Sequence, residues 1–408
     1  MRTSFLWISF GVLHLLFFAL LSPLIFTGEV LSDIQFYRQW AFEGLDGGQW
    51  QGISTAWVYP IGALAPMLLA AVFGYGAYQF AWFLIFAGLN AAALAVLTGK
   101  RTRQRFAAAY WWMGITALLG PVAVGRVDGL TVPLVIIGML LLAKRPVAAS
   151  ALLAAATWIK VWPAAVILAV LAVSRRRLTV LVTGAAVSAA VAVVVAASGG
   201  LRYLLSFVGA QGDRGMQLEA PFTTPGLWQA ILGRSGAYIF EDTVINTREV
   251  RGAWGEPIAA LMTPLLAVAA VAVVVLLLWA LRRGADAGSL LAAGSLALVG
   301  AFIVFNKVGS PQFMLWLGAV TAVGVAWEGR SWRLPALMMI PVAALTTLVY
   351  PMFYAALYDD LNAGVAAMLT VRNLLVMALF VWAVIRIVQL ARNGRLVSES
   401  AALPEQAP

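Results

Sequence analysis

Apolar segments of about 20 residues recur along this chain from one end to the other, and they constrain its fold more than any other feature. Of the 408 residues, 62% are apolar and 11% are charged, whereas an ordinary globular chain carries about 25% charged residues. A soluble enzyme, a disordered chain and a nucleic-acid-binding domain all need more polar surface than this. The strand-like alternation of an outer-membrane barrel is also missing. The predicted fold class is therefore an all-α polytopic membrane protein.

Basic residues predict the topology. The net charge of +10 lies mostly in short Lys/Arg clusters between apolar segments, a pattern typical of cytoplasmic loops. If all these clusters are cytoplasmic, each segment between them crosses the bilayer an even number of times. We predict a bundle of about twelve transmembrane or partly spanning helices with outer-face loops, in the cell membrane, with both termini cytoplasmic. One domain would cover residues 1–395, and residues 396–408 would form a disordered cytoplasmic tail.

The segment 146–174 is too short for its flanking charges. Both of its ends are basic, yet at about 1.5 Å per residue it cannot hold two full spans. The sequence therefore predicts two short helices that meet at 158–163, with Pro163 at the start of the second and Lys160 at the tip. A lysine at membrane depth is tolerated where it lines a protein cavity. Alternatively, Lys160 could be an interfacial anchor beside its tryptophan neighbours.

Residue counts exclude several chemistries. The chain has no cysteine and one histidine, His14, within the first apolar segment. Disulfides and thiol nucleophiles are therefore excluded, and the single histidine within an apolar segment argues against Ser-His-Asp hydrolysis and His-rich metal sites. The N-terminal segment resembles a signal peptide but lacks a clear small-x-small cleavage site, so we interpret it as a retained span. No nucleotide-binding P-loop is present. No cofactor is implied, and the need for a divalent metal stays open.

Charged side chains in the predicted outer loops are the candidates for chemistry. The cationic candidates are Arg126, Lys160, Arg214 and Lys307. Such cations could bind a phosphate through charge-assisted hydrogen bonds, and a loop carboxylate could act as a general base. Other interpretations stay open: Asp33 could cap a helix, Arg126 could form an ion pair with Asp128, and Lys307 could be an ordinary loop lysine.

Six short motifs follow one another along nearly the whole chain. They are Ser32–Tyr37, Tyr59–Pro66, Gly125–Asp128, Trp158–Pro163, Lys307–Phe313, and Tyr350–Tyr354 with Arg372–Asn373. In this order they resemble polyprenol-phosphate-sugar-dependent glycosyltransferases of the GT-C superfamily. The similarity is to the family-87 type of actinobacteria, which includes phosphatidylinositol-mannoside mannosyltransferases. Two positions depart from the pattern: Asn306 stands where many members carry histidine, and Phe313 stands where tyrosine is common.

The resemblance implies a membrane glycosyltransferase. It would move a sugar, with mannose as the family's usual choice, from a polyprenyl-phosphate donor to a glycolipid or polysaccharide acceptor at the outer face, with inversion. Asp33 would be the catalytic base, and it is expected to be unpaired because Arg38 is the nearest cation in sequence. The four cationic candidates would bind the donor phosphate. The further substrate-binding residues would be Tyr37, Tyr59, Asp128, Asn306, Ser310 and Gln312.

Two other function classes stay open at this point. A transporter or flippase of lipid-linked sugar would be expected to show similar halves and paired broken helices, and the chain shows no similar halves. A catalytically inactive relative that scaffolds a cell-wall complex would be compatible with Asn306. Convergence of Asp33, Lys160 and Lys307 on one outward-facing cavity would favour the glycosyltransferase, whereas a central two-sided pathway would favour transport.

Overall fold

The computed structural model describes residues 3–210, 214–242, 247–252 and 255–402. Their helices are α1 (Thr3–Thr27), α2 (Ile34–Gly47), α3 (Leu64–Ala71), α4 (Tyr78–Thr98), α5 (Arg103–Val124), α6 (Asp128–Leu141), α7 (Pro146–Ile159), α8 (Pro163–Val173), α9 (Arg177–Ala197), α10 (Ser206–Gly209), α11 (Thr224–Ile231), α12 (Gly255–Arg282), α13 (Ala287–Val304), α14 (Phe313–Glu328), α15 (Arg333–Thr347), α16 (Tyr354–Tyr358) and α17 (Ala363–Ala402). Two strands, β1 (Tyr238–Asp242) and β2 (Thr247–Arg251), form one antiparallel hairpin.

Eight segments of the described chain are long and apolar enough to cross a membrane. Seven of them hold one helix each, and the eighth, 313–352, holds both α14 and α15. The apolar helices α6, α7 and α8 are shorter, with 14, 14 and 11 residues. These twelve helices confirm the predicted class, a polytopic helical membrane protein. The single-domain division and the disordered tail stay predictions, and residues 403–408 of that tail lie outside the described residues.

The helices differ sharply in how much of their surface other helices cover. In α13, 78% of the spanning window is buried, compared with 11% in α9 and 17% in α12. The exposed side chains of α9 and α12 are mainly apolar, and in a membrane such a surface contacts lipid chains at little cost. The bundle therefore has α13 in its interior and α9 and α12 at its periphery.

A layer of short elements packs on one end of the bundle. It includes the β1–β2 hairpin, although no strand was predicted in residues 199–256. Its own small core contains Leu218, Leu227, Val250 and Leu357. This layer also contacts α17, since the Nε1 of Trp228 in α11 donates a hydrogen bond to Thr370 Oγ1 at 2.9 Å. The layer is thus fixed to the spanning helices beneath it.

The predicted topology has a direct test. Lys144 and Lys160 flank the single short helix α7, so they should lie on opposite sides of the membrane. The chain has no native cysteine, so we expect a membrane-impermeant maleimide to label Lys160→Cys from outside and Lys144→Cys only from the cytoplasm. Labelling of both positions from the same side would contradict the two-short-helix arrangement.

Candidate active site

The turn between α5 and α6 carries Arg126 and Asp128. Helix α5 is interrupted near its end at Gly120, where φ is 36°, a left-handed conformation that favours glycine. At the other side of the turn, a Cβ on Gly129 would collide with the carbonyl of Ala123. The interrupted helix and the close backbone approach make a tight turn, which holds both charged side chains in largely buried positions.

Arg126 connects the first loop to the break after α15. Its Nη1 forms an ion pair with Asp33 Oδ2, and its Nη2 donates a hydrogen bond to the Tyr350 hydroxyl at 2.8 Å. Ser32 Oγ lies 3.3 Å from the same hydroxyl. Tyr350 has extended backbone angles within the turn that follows α15, so its ring leaves the helical path. Tyr350 is a site residue that the sequence analysis placed in a motif without giving it a role.

Two expectations about Asp33 were wrong. It was expected to be unpaired, but Arg126 pairs with it; its sequence neighbour Arg38 instead donates to the Gly28 carbonyl at 2.6 Å and lies over the Tyr75 ring. The helix-cap alternative also fails, because the Asp33 side chain accepts no capping hydrogen bond from α2. The nearest cation in sequence is not the ion-pair partner of Asp33, because the partner, Arg126, comes from the distant turn between α5 and α6.

The backbone at Asp33 is held from two sides. Ser32 has a φ of 53°, a left-handed conformation that costs a residue with a Cβ about 1–2 kcal/mol. The Leu31 N–H donates to Gln79 Oε1 at 2.7 Å, and Gln79 is fully buried in α4. These contacts define the direction in which Asp33 leaves the loop.

Lys160 and Asp128 form a second charged pair beside the first. As predicted, α7 ends at Ile159 and α8 begins at Pro163, with Lys160 extended between them. Lys160 Nζ lies 3.6 Å from Asp128 Oδ2 and 4.3 Å from the centre of the Tyr59 ring. The suggested Arg126–Asp128 pair is therefore wrong, because each residue pairs with a different partner.

Asp128 is positioned mainly by tryptophan. Trp316 Nε1 donates to Asp128 Oδ1 at 2.7 Å, and the Trp316 ring stacks on Trp162 with a centroid separation of 5.5 Å. The Oδ2 of Asp128 is buried and has no hydrogen-bond partner among the described residues. The Lys160 ammonium group thus lies near the Asp128 carboxylate but does not donate a hydrogen bond to it. The N–H groups of Lys160 can therefore donate to a bound anion.

The two predicted tyrosines occupy different environments. Tyr37 is buried, its ring stacks on Trp82 at 5.1 Å, and its hydroxyl accepts a hydrogen bond from the Val127 N–H at 3.3 Å. Burial raises the pKa of Tyr37 well above its ordinary value, so the hydroxyl stays protonated. Tyr59 is half-buried beside Lys160. In this conformation Tyr37 supports the turn from behind, whereas Tyr59 borders the cation.

The turn between α13 and α14 uses its polar groups internally. Asn306 Nδ2 donates to the Phe302 carbonyl at 3.2 Å, and Asn306 Oδ1 accepts from the Val308 N–H at 3.0 Å. Ser310 Oγ donates to Gln312 Oε1 at 2.6 Å. These three predicted substrate-binding residues therefore stabilise the turn itself in the state described.

Lys307 lies in the same turn, between α13 and α14. Its carbonyl accepts a hydrogen bond from the Gln217 N–H at 3.0 Å. A Cβ on Gly309 would collide with the backbone of Glu219 and Ala220, so the turn packs directly against this loop. Arg126 is also close enough to Glu219 for its positive charge to lower the pKa of the Glu219 carboxyl. The turn that carries Lys307 thus adjoins the charged cluster through residues 217–220.

Arg214 lies near the site, in the connection between α10 and α11. Its Nε donates to the Ala210 carbonyl at 3.3 Å. Burial lowers the pKa of Arg214, while the nearby Tyr59 and Glu249 oppose that shift. Arg214 is therefore within electrostatic range of the ring that contacts Lys160. Its sequence neighbour Asp213 lies outside the described residues.

A buried ion pair joins the layer of short elements to α17. Arg372 Nη1 donates to Glu219 Oε2 at 2.8 Å, and Nη2 donates to the Glu219 carbonyl at 2.8 Å. Both side chains are almost fully buried, and Asn373 Oδ1 accepts from the same guanidinium. Burial raises the pKa of the Glu219 carboxyl, and Arg372 offsets part of that shift. Sequence spacing did not indicate this pair, since Arg372 belongs to a motif and Glu219 belongs to none.

Removing either partner of this pair should destabilise the protein, with different pH dependence. Breaking a buried ion pair costs about 3–5 kcal/mol, so we expect both Arg372→Met and Glu219→Gln to lower the melting temperature of the purified protein at neutral pH. Burial raises the pKa of Glu219. In Arg372→Met the folded protein therefore loses stability as pH rises through that pKa and the buried carboxyl becomes charged, and it regains stability when acid protonates the carboxyl. Melting curves at about pH 5 and about pH 8 should show this recovery in Arg372→Met only; equal pH dependence in both variants would contradict it.

The comparison with known families decides which class of protein carries this cluster. The model of glycosyltransferase family 87 matches residues 57–311, more than half of the chain. The chain belongs to glycosyltransferase family 87. No curated protein and no solved structure gives a significant match.

Family 87 membership makes the molecule a membrane glycosyltransferase, in agreement with the resemblance inferred from the motifs. The matched range contains Arg126, Asp128 and Lys160, whereas Asp33 and Tyr350 lie outside it. Both of those residues contact Arg126, which lies inside the matched range. Among the described residues, no group of three or more His, Asp or Glu side chains is arranged to hold a metal ion.

Proposed function

We propose that this glycosyltransferase moves mannose from a polyprenyl-phosphate donor to a glycolipid or polysaccharide acceptor at the outer face of the cell membrane, with inversion. The observation that carries the proposal is the paired arrangement of Asp33 with Arg126 and of Asp128 with Lys160. It brings a proton acceptor and two cations together at one end of a helical bundle. Family 87 membership supports the class of reaction.

Asp33 acts as the base. An acceptor hydroxyl attacks the anomeric carbon of the donor from the face opposite the phosphate, and its proton passes to the Asp33 carboxylate. The bond between the anomeric carbon and the phosphate oxygen breaks, and polyprenyl phosphate leaves with the electron pair. A single displacement of this kind inverts the configuration. The Asp33 side chain is 24% exposed, so a substrate hydroxyl can reach it.

Arg126 and Lys160 act on the leaving phosphate. Preorganised cations in a site of low effective dielectric stabilise developing negative charge far more than they would in water. Arg214 and Lys307 add positive charge from the two neighbouring loops. The leaving group is a lipid phosphate rather than a nucleotide, in agreement with the absence of a P-loop and with the position of Lys160 at a helix break in the bundle.

The location at the outer face rests on the basic clusters. They occur at the ends of the helices away from the Arg126 turn, and the positive-inside rule assigns such ends to the cytoplasm. A lipid-linked donor presented at the opposite surface would meet Asp33 and Lys160 directly. The polyprenyl chain would lie among the apolar side chains that the peripheral helices expose.

The test is a transfer assay in membranes. Membranes from an overexpressing strain receive radiolabelled polyprenyl-phosphate-mannose, and the glycolipid and polysaccharide products are separated. We expect new labelled product with the wild-type protein and none above background with Asp33→Asn. Polyprenyl-phosphate-arabinose, tested in parallel, should give less product. Movement of labelled donor across the bilayer without any transfer would instead support a flippase.

A further inference from the structure

In the structure, the Arg126 guanidinium already binds the carboxylate of Asp33, the proposed base. Its Nη1 pairs with the Asp33 carboxylate, and its Nη2 binds Tyr350. Its Nε is buried without a hydrogen-bond partner among the described residues. A phosphate that approaches this guanidinium therefore competes with Asp33 for the same hydrogen-bond donors, because both are anions that bind a planar guanidinium through oxygen pairs.

We propose that Arg126 masks Asp33 in the donor-free enzyme, and that the donor phosphate displaces Asp33 from Arg126 and so makes the base available. This inference rests on the proposed function. It adds an order of events: the lipid-phosphate donor binds first, and the acceptor hydroxyl meets an active base only afterwards. A carboxylate that accepts charge-assisted hydrogen bonds from arginine is a poor proton acceptor, so an empty site would not activate water.

The two charged pairs differ in a way that makes Asp33 the one that exchanges. Asp128 is 1% exposed and is held by Trp316 as well as by proximity to Lys160. Asp33 is 24% exposed, and Arg126 is the one ion-pair partner that the described residues give it. Asp33 can therefore lose Arg126 without becoming a buried, unpaired charge, whereas loss of Lys160 would leave Asp128 as one.

Tyr350 limits how far Arg126 has to move. The hydroxyl binds Nη2, and the guanidinium carbon lies 5.4 Å from the centre of the Tyr350 ring. The contact with Tyr350 involves the nitrogen that Asp33 does not use. Rotation of the guanidinium about this contact would release Nη1 from Asp33 while Nη2 stays bound to Tyr350. Tyr350 is thus a positioning residue for the exchange.

Equilibrium binding of farnesyl phosphate, a short lipid phosphate, to the purified full-length protein tests the proposal. Asp33→Asn removes the competing anion, so we expect binding about tenfold tighter than in the wild type, although transfer is lost. Arg126→Gln should bind at least tenfold more weakly than the wild type. In the double variant the gain should vanish, because the gain requires the guanidinium. Asp33→Ser, a second way of removing the carboxylate, should give the same sign as Asp33→Asn.

The matched control is Asp46→Asn, the same chemical change on an exposed residue of α2. It should leave farnesyl phosphate affinity unchanged, and farnesol, which lacks the phosphate, should bind all variants equally. Unchanged or weaker binding by both Asp33 variants would overturn the masking proposal, as would equal tightening by Asp46→Asn. Absence of binding by the wild type would instead overturn the lipid-phosphate donor, and with it the proposed function.

Discussion

Asp33→Asn is expected to lower the rate of sugar transfer by about 10²–10⁴-fold, the usual effect of losing a general base. The substitution keeps the shape of the side chain and an oxygen for Arg126 but removes the ability to take a proton. The loss should appear in kcat, because the variant keeps Arg126 and Lys160 for donor binding and lacks only the proton acceptor. Initial rates with radiolabelled polyprenyl-phosphate-mannose and purified variant measure it.

The control for this prediction lies in α2, the helix that follows Asp33. Glu43 is held by the side-chain amides of Gln39 and Gln51, away from Arg126, so Glu43→Gln should transfer sugar at nearly the wild-type rate. If Asp33→Asn also transferred sugar at the wild-type rate, the base would have to be another carboxylate. Glu219 would then be the next residue to test, because Arg126 is within electrostatic range of it.

Lys160→Gln is expected to reduce transfer by about 10²–10³-fold, comparable to the loss of one preorganised donor in an oxyanion hole. The reason is the environment of Lys160: its side chain is 18% exposed and lies between Asp128 and the Tyr59 ring, where a charge meets phosphate with little screening by water. Lys307→Gln should have a similar direction and a smaller effect. Steady-state kinetics against donor concentration would separate KM from kcat.

Arg202→Gln and Arg251→Gln provide the comparison for the lysines. Both arginines are exposed and stack on single aromatic rings, Tyr203 and Phe240 respectively. Screening by water makes such charges worth little, so their loss should change transfer less than twofold. Equal, small effects from Lys160→Gln and both arginine variants would contradict the assignment of Lys160 to the phosphate. The melting temperature of Lys160→Gln checks its fold, because the substitution leaves the buried Asp128 carboxylate without its cation.

The sequence by itself determined the class of the protein, its apolar helices and the break between α7 and α8. Apolar length and basic clusters are local properties of a chain, and the bilayer converts them into spans without reference to distant residues. The two short helices that meet at 158–163 followed from the same argument, because a segment with two basic ends cannot cross once. The order of the motifs was enough to indicate family 87.

Only the tertiary structure decided which charges meet. Asp33 and Arg126 are 93 residues apart in sequence, and Glu219 and Arg372 are 153 apart; no local pattern relates such partners. The β1–β2 hairpin was missed because its core residues come from several distant segments. Ion pairs inside a bundle depend on which turns converge and on how far each carboxylate is removed from water, and both are properties of the packed helices rather than of sequence spacing.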